Sequence, residues 1–252
     1  MNQRKHRQRQ GRFSVEGVAL LEMALAAGVQ PQEVYFSEEQ LQLSDGGGRV
    51  LARLAATDAE LVAVSLEVMN SLADRGIPEG IVSLFPLFET PLNDLRLAGD
   101  GLVLLIDRLQ DPGNLGTLIR TADAIDAAAV VLIEPCVDPF ESKAVRATMG
   151  SLFNVPLMRT TDVPALFQRL AALGLSTVAA DAHRGEAWGA NLWQGSVALV
   201  VGHETRGLTE DVLPYVDAWV SLPMVGKAES LNVAVAGGVL MYAWLKANER
   251  HG

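Results

Sequence analysis

Three stretches of this chain place polar side chains beside glycine in a way that can support chemistry. In NLGTLIRTA, the amide of Asn114 is followed six residues later by the guanidinium of Arg120. In GHETRGL, Gly202 and Gly207 bracket the carboxylate of Glu204. In LPMVGKAESLNVAVA, Leu222, Met224, Ser230, Leu231 and Asn232 lead into a run of small apolar residues. Arginine grips phosphate or carboxylate through paired hydrogen bonds, and glycine lets a backbone approach a ligand closely. Each stretch also has a bland reading: Asn114 as a helix cap, Arg120 as an exposed helix residue, the glycines as turns.

Other chemistries are excluded by their missing signatures. There is no GxxxxGK[ST] phosphate loop and no GxGxxG, and the GGG at 46–48 has the spacing of a turn. His203-Glu204 opens like HExxH, but Gly207 stands where the second zinc ligand belongs. No GxSxG elbow occurs. The histidines (His6, His183, His203, His251) are scattered, and a single cysteine, Cys136, allows neither a disulfide framework nor a zinc cluster. No metal is expected.

The elements that must position these loops follow from hydrophobic rhythm. Apolar runs at 103–106, 130–133, 176–180, 197–201 and 218–222 read as buried strands of a parallel sheet. Helical patterns fall at 114–126, 142–153 and 163–173, and a last helix is expected from about Leu231 to Asn248. All three polar loops then lie at the carboxyl ends of strands, where open α/β sheets bind ligands. Upstream, a helix through Val18, Leu21 and Leu25 precedes strands at 33–36, 61–65 and 81–85 and helices at 50–56 and 66–73. Pro86, Pro91 and the polar stretch to Asp100 read as a linker between two α/β domains.

Composition sets outer bounds. With 252 residues, 49% hydrophobic and 20% charged, the chain is an ordinary globular protein of one large or two small domains. The apolar run 231–245 is too short to span a bilayer and no secretory signal is evident, so no membrane partner and a cytoplasmic setting are expected. A net charge of −10 argues against nucleic-acid binding over the whole surface. Residues 1–12, however, hold Arg4, Lys5, Arg7, Arg9 and Arg12 without an acid. Such a segment is either a solvated tail or a phosphate-tracking arm.

Taken together and in order, the three motifs resemble those of the SpoU/TrmH branch of the SPOUT RNA methyltransferases. NLGTLIRTA, GxExxGL and PMxGxxxSLNVxVA all occur, and SKAVRATMGSLFNVPL (142–157) is similar to the family's middle segment. The start, RKHRQRQGRFSVEGVALLEMALAAG, resembles the ribosomal-protein-like substrate-binding domain of rRNA-modifying members. His203 and Thr205 depart from the residues that often flank the family's motif glutamate. The resemblance implies an α/β fold in which a C-terminal domain (100–252) has a parallel sheet and a deep trefoil knot. It adds a smaller N-terminal α/β domain (13–95) behind a basic flexible arm (1–12).

The same resemblance implies transfer of a methyl group from S-adenosylmethionine to a ribose 2′-hydroxyl of RNA, 23S rRNA before tRNA, by a homodimer. A non-catalytic RNA-binding or ribosome-assembly protein of the same fold is the alternative from another class. Gly202, Leu222, Met224 and Leu231 would hold the cofactor. Arg120, Asn114, Glu204, Ser230 and Asn232 would form the catalytic group, with Arg120 either a transient base or a group that positions the ribose-phosphate. Arginine stays protonated in proteins, which weighs on the first role.

Overall fold

The computed structural model describes residues 3–72, 79–189, 191–203 and 206–248. The chain divides into two units, residues 1–88 with 138–154 and residues 89–137 with 155–252.

The first unit opens with helix α1 (Arg4–Gln10) and strand β1 (Arg12–Glu16), followed by α2 (Val18–Ala26) and β2 (Glu33–Phe36). Then come α3 (Glu38–Leu43), α4 (Gly47–Leu54), β3 (Glu60–Ala63), α5 (Leu66–Leu72) and β4 (Ile81–Pro86). Its four strands form a mixed sheet in the order β1-β4-β2-β3. β1 alternates half-buried and buried residues, as a strand with one covered face should. The stretch expected as a flexible arm is instead mostly helix. Arg7 is only 3% exposed and is ion-paired through Nη2 to Asp138 Oδ2 at 2.6 Å, a contact that gives a polar heptapeptide a reason to fold.

The second unit is built on β5 (Leu102–Asp107), α6 (Pro112–Ala124) and β6 (Ala129–Ile133). The chain then runs through residues 138–154, which carry α7 (Ser142–Ala147) and belong to the first unit. It resumes in the second with β7 (Leu157–Thr160), α8 (Val163–Ala172), β8 (Ser176–Ala180), β9 (Glu186–Ala187), β10 (Val197–Val201), β11 (Ala218–Ser221) and α9 (Val233–Ala247). Seven strands pair in the order β7-β6-β5-β10-β8-β11-β9, every pair parallel. All residues of β5, β6 and β10 are buried, which is why these strands read as unbroken apolar runs. Leu166, Phe167 and Leu170 of α8 pack with Val103, Leu105, Val131 and Val200 on one face.

Two expectations need correcting here. The stretch 86–100 is not a bare linker: Leu95 is 1% exposed in the second unit's core, with Leu92 and Leu97 packed beside it. Residues 142–153 are not one helix, because Met149 and Gly150 both take positive φ and break α7 from a short 3-10 turn at Ser151–Phe153.

Helix starts fix the motif residues. Asp111, not Asn114, caps α6, accepting the Asn114 N–H at 2.8 Å with Pro112 next in line. α6 and α9 pack against each other. A Cβ at Gly237 would come within 2.6 Å of Leu118 Cδ2, so this glycine lets α9 lie close to α6. No helix among the described residues is long and apolar enough to cross a membrane.

Candidate active site

Because the seven strands are parallel, their carboxyl ends share one edge, and the loops that leave it gather there. A cleft of about 530 Å³ lies at the ends of β8, β10 and β11. It is lined by Gly202, Leu222, Met224, Ser230 and Leu231, all expected from the sequence, together with Asp181, His183, His203, Arg206 and Glu229. This size suits a small-molecule ligand. Leu222, Met224, Leu231 and Leu240 give it apolar walls, and the charged side chains supply polar ends.

The loop after β10 is held in shape by its own backbone. His203 and Gly207 exchange two N–H···O=C bonds, each 3.0 Å. A Cβ on Gly202 would sit 2.5 Å from the Gly207 carbonyl oxygen and 2.8 Å from Leu208 Cδ2. Glycine is therefore required at 202 first by this turn, whereas the sequence suggested room for a ligand. Glu204 lies outside the described residues.

Asn114 and Asn232 meet directly. Asn232 Nδ2 donates to Asn114 Oδ1 at 2.9 Å, while Asn232 Oδ1 accepts the N–H groups of Ala234 and Val235 and caps α9. The first and third motifs are thus joined by a hydrogen bond across 118 positions of sequence. Arg120 does not join them. It is exposed on α6, has no hydrogen-bond partner among the described residues, and is absent from the cleft wall.

Two sets of residues went unnoticed in the sequence. One is the loop after β8, where Asp181 Oδ1 accepts the N–H groups of His183 (2.9 Å) and Arg184 (3.2 Å), and the Arg184 guanidinium lies 3.3 Å over the Trp219 ring. The strand-end rule that singled out the other loops applied here too, and DAHRG holds polar residues beside Gly185, but it matches none of the three motifs. The other is Asp107, fully buried at the end of β5, whose Oδ2 accepts the Thr209 N–H at 2.7 Å. Beside it Arg108, at φ 56°, reaches Asp211 at 3.1 Å. These contacts fasten the far arm of the β10 loop to β5. A lone acid at a strand end carries no local mark of such a partner.

With fold and cleft described, comparison with known proteins identifies the class. Residues 101–242 match the SpoU rRNA Methylase family and residues 1–83 match an MRM3-like substrate binding domain. The 23S rRNA (guanosine(2553)-2′-O)-methyltransferase RlmP of Bacillus subtilis is 33% identical, over 96% of this chain and 92% of its own. The 23S rRNA (uridine(2479)-2′-O)-methyltransferase of Streptomyces viridochromogenes is 30% identical, over 96% and 85%. The AdoMet-bound rRNA methyltransferase of Sinorhizobium meliloti superposes with a TM-score of 0.86 at 30% identity, covering 97% of this chain and 91% of its own. The chain belongs to the SpoU rRNA methylase family and is an S-adenosylmethionine-dependent methyltransferase.

Proposed function

We propose that this enzyme methylates a ribose 2′-hydroxyl of 23S rRNA. The observation that carries the reading is the assembly of Gly202, Leu222, Met224, Ser230 and Leu231 around one cleft at the sheet's carboxyl edge. S-adenosylmethionine, when bound, supplies a methyl group already activated on sulfur, so the protein's task is alignment and charge management. Gly202, Leu222 and Leu231 would hold the cofactor through backbone groups, and Met224 would cover its adenine. Ser230 and the Asn114–Asn232 pair would orient ribose hydroxyls. Arg120 would grip the ribose-phosphate through its planar fork and offset developing negative charge rather than take the proton. Glu204 would hold that arginine or its own loop. The relatives act on 23S rRNA at a guanosine and at a uridine, which favours this RNA over tRNA while leaving the base open.

The exposed position of Arg120 supports a homodimer in which a second copy brings this residue to the cleft. Val235, Val239 and Tyr242 are 53%, 37% and 51% exposed and, with Thr121, Trp188 and Gly238, line an apolar groove on α9 fit to receive that copy. Cytoplasmic residence suits the one free cysteine, Cys136, which is buried. The knot implied by the motifs would run through the β10 and β11 loops.

Incubation with tritiated S-adenosylmethionine and separate pools of unmodified 23S rRNA and tRNA, followed by nucleoside analysis, tests the reading. Label in a 2′-O-methylnucleoside of 23S rRNA is expected; label on a base, or in tRNA alone, would overturn it. Light scattering at micromolar concentration should give twice the chain mass, and a monomer would sink the shared-site arrangement.

A further inference from the structure

The middle segment SKAVRATMGSLFNV plays no part in the cleft. After β6 the chain leaves the seven-stranded unit, and residues 138–154 are integrated into the four-stranded one. Phe140 lies 4.9 Å from Phe13 of β1, ring centre to ring centre, and Phe153 lies 5.3 Å from Phe85 of β4. α1 and α7 both pack against β1.

A buried ion pair joins the same two segments. Arg7 donates from Nε (3.0 Å) and Nη2 (2.6 Å) to Asp138 Oδ2, with the two side chains 3% and 7% exposed, and Asp138 Oδ1 accepts the Phe140 N–H at 3.1 Å. Taking both charges out of water is costly, and a buried guanidinium is lost to any external phosphate. Its effect is to fix which way α1 faces. On a helix with 3.6 residues per turn, Lys5 and Arg9 lie almost opposite Arg7 and therefore point together to solvent, and both are exposed. On α7, Lys143 and Arg146 are three apart and share a face while Ala144 and Val145 are buried. Lys143 is exposed, and Arg146 is half-buried and donates from one guanidinium nitrogen to Ser142 Oγ, which leaves its other donors for a phosphate. Elsewhere the unit's chain, 13–88, has more acids than bases, so its cations are concentrated in these two helices.

We infer that α1 and α7, which both pack against β1, form one phosphate-binding platform for RNA, with Lys5 and Arg9 on one helix and Lys143 and Arg146 on the other, the Arg7–Asp138 pair tying α1 to the segment that leads into α7. The platform extends the substrate-binding surface beyond residues 1–83 and makes an interruption of the methylase segment part of substrate docking. It rests on the reading of RNA as substrate.

Filter binding of in vitro transcribed 23S rRNA to the full-length protein between 50 and 200 mM salt tests it. Lys143→Gln with Arg146→Gln, and separately Lys5→Gln with Arg9→Gln, should each weaken binding about tenfold. Each should lower the log-affinity against log-salt slope by about 1.4 to 1.8, the loss of two phosphate contacts. S-adenosylmethionine affinity and Tm should stay at wild-type values, which shows that the variants are folded. A wild-type slope for the α7 pair would overturn the platform, even if the α1 pair lost affinity. Methyl incorporation by the wild-type protein into the same RNA is scored separately. Its absence would sink the substrate reading, whereas the slope difference reports phosphate contacts whatever the modified nucleotide.

Discussion

The two sheets of this enzyme handle their surfaces differently. In the seven-stranded sheet, β5, β6 and β10 are buried along their whole length, so the side chains of those strands are spent on the core and function is left to the loops at one edge. In the four-stranded sheet the inner strand β4 is buried almost throughout, but the edge strand β3 is mostly exposed and β1 is buried on alternate residues. The first arrangement suits a small cofactor that needs loops converging on a point. The second suits a polymer, which needs charge spread over a surface. A cleft and the proposed platform are different solutions, one to holding a small molecule and the other to following a polymer.

Arg120→Ala should have the largest effect, lowering methyl transfer by roughly two to three decades, or on the order of 3–4 kcal/mol in barrier. Because Arg120 is not in the cleft wall, calorimetry should find S-adenosylmethionine affinity within a few-fold of wild type. Near-full activity would remove Arg120 from the reaction. Leu104→Ala, in a fully buried central strand, should cost about 3 kcal/mol in urea unfolding, whereas Leu61→Ala on β3, 38% exposed, should cost less than about 1. Equal costs would deny that a buried inner strand and an exposed edge strand differ in what they contribute. Gly202→Ala should weaken cofactor binding about tenfold with little change in Tm, because the added carbon collides with the Gly207 carbonyl and deforms one loop. Unchanged affinity would mean that the turn does not shape the cleft.

The smallest effect concerns the four-stranded sheet and is pH-dependent. Tyr35 donates to Glu33 Oε2 at 2.6 Å, and Arg12 pairs with the same carboxylate. The Tyr35 hydrogen bond, aided by Arg12, holds the Glu33 carboxyl below its usual value, and the same bond raises the Tyr35 phenol. A lowered carboxyl stabilises the fold above its ordinary titration range and loses that contribution as pH falls through the folded value. A raised phenol stabilises below about pH 10 and loses that contribution as pH climbs further. Tyr35→Phe should therefore cost up to about 1 kcal/mol at pH 7 and progressively less below about pH 4. A cost independent of pH would show that the hydroxyl is not coupled to Glu33.

What could be read from the residues divides along the range of the interactions. STVAA and VALVV mark β8 and β10 to the residue because a buried parallel strand is a local apolar run, and the three motif loops follow from where those strands end. α1 was illegible, since RKHRQRQ has no apolar periodicity and its anchor Asp138 is 131 positions away. The placement of 138–154 was missed because it lies between β6 and β7 in sequence, while its partners Phe13, Phe85 and Arg7 lie near the start of the chain. The Asn114–Asn232 contact was hidden in the same way, each half reading as a helix-start residue by itself.

That contact has a polarity. The first free N–H groups of α9 point at the oxygen of Asn232, which turns the nitrogen of the same amide toward Asn114 and claims that residue's oxygen in turn. Neither amide can then be flipped without setting donor against donor, so the orientation of one helix end is relayed through two side chains. Asn114 is left with its nitrogen facing away from the pair, and whatever that nitrogen meets, on this chain or on a substrate, must bring a lone pair.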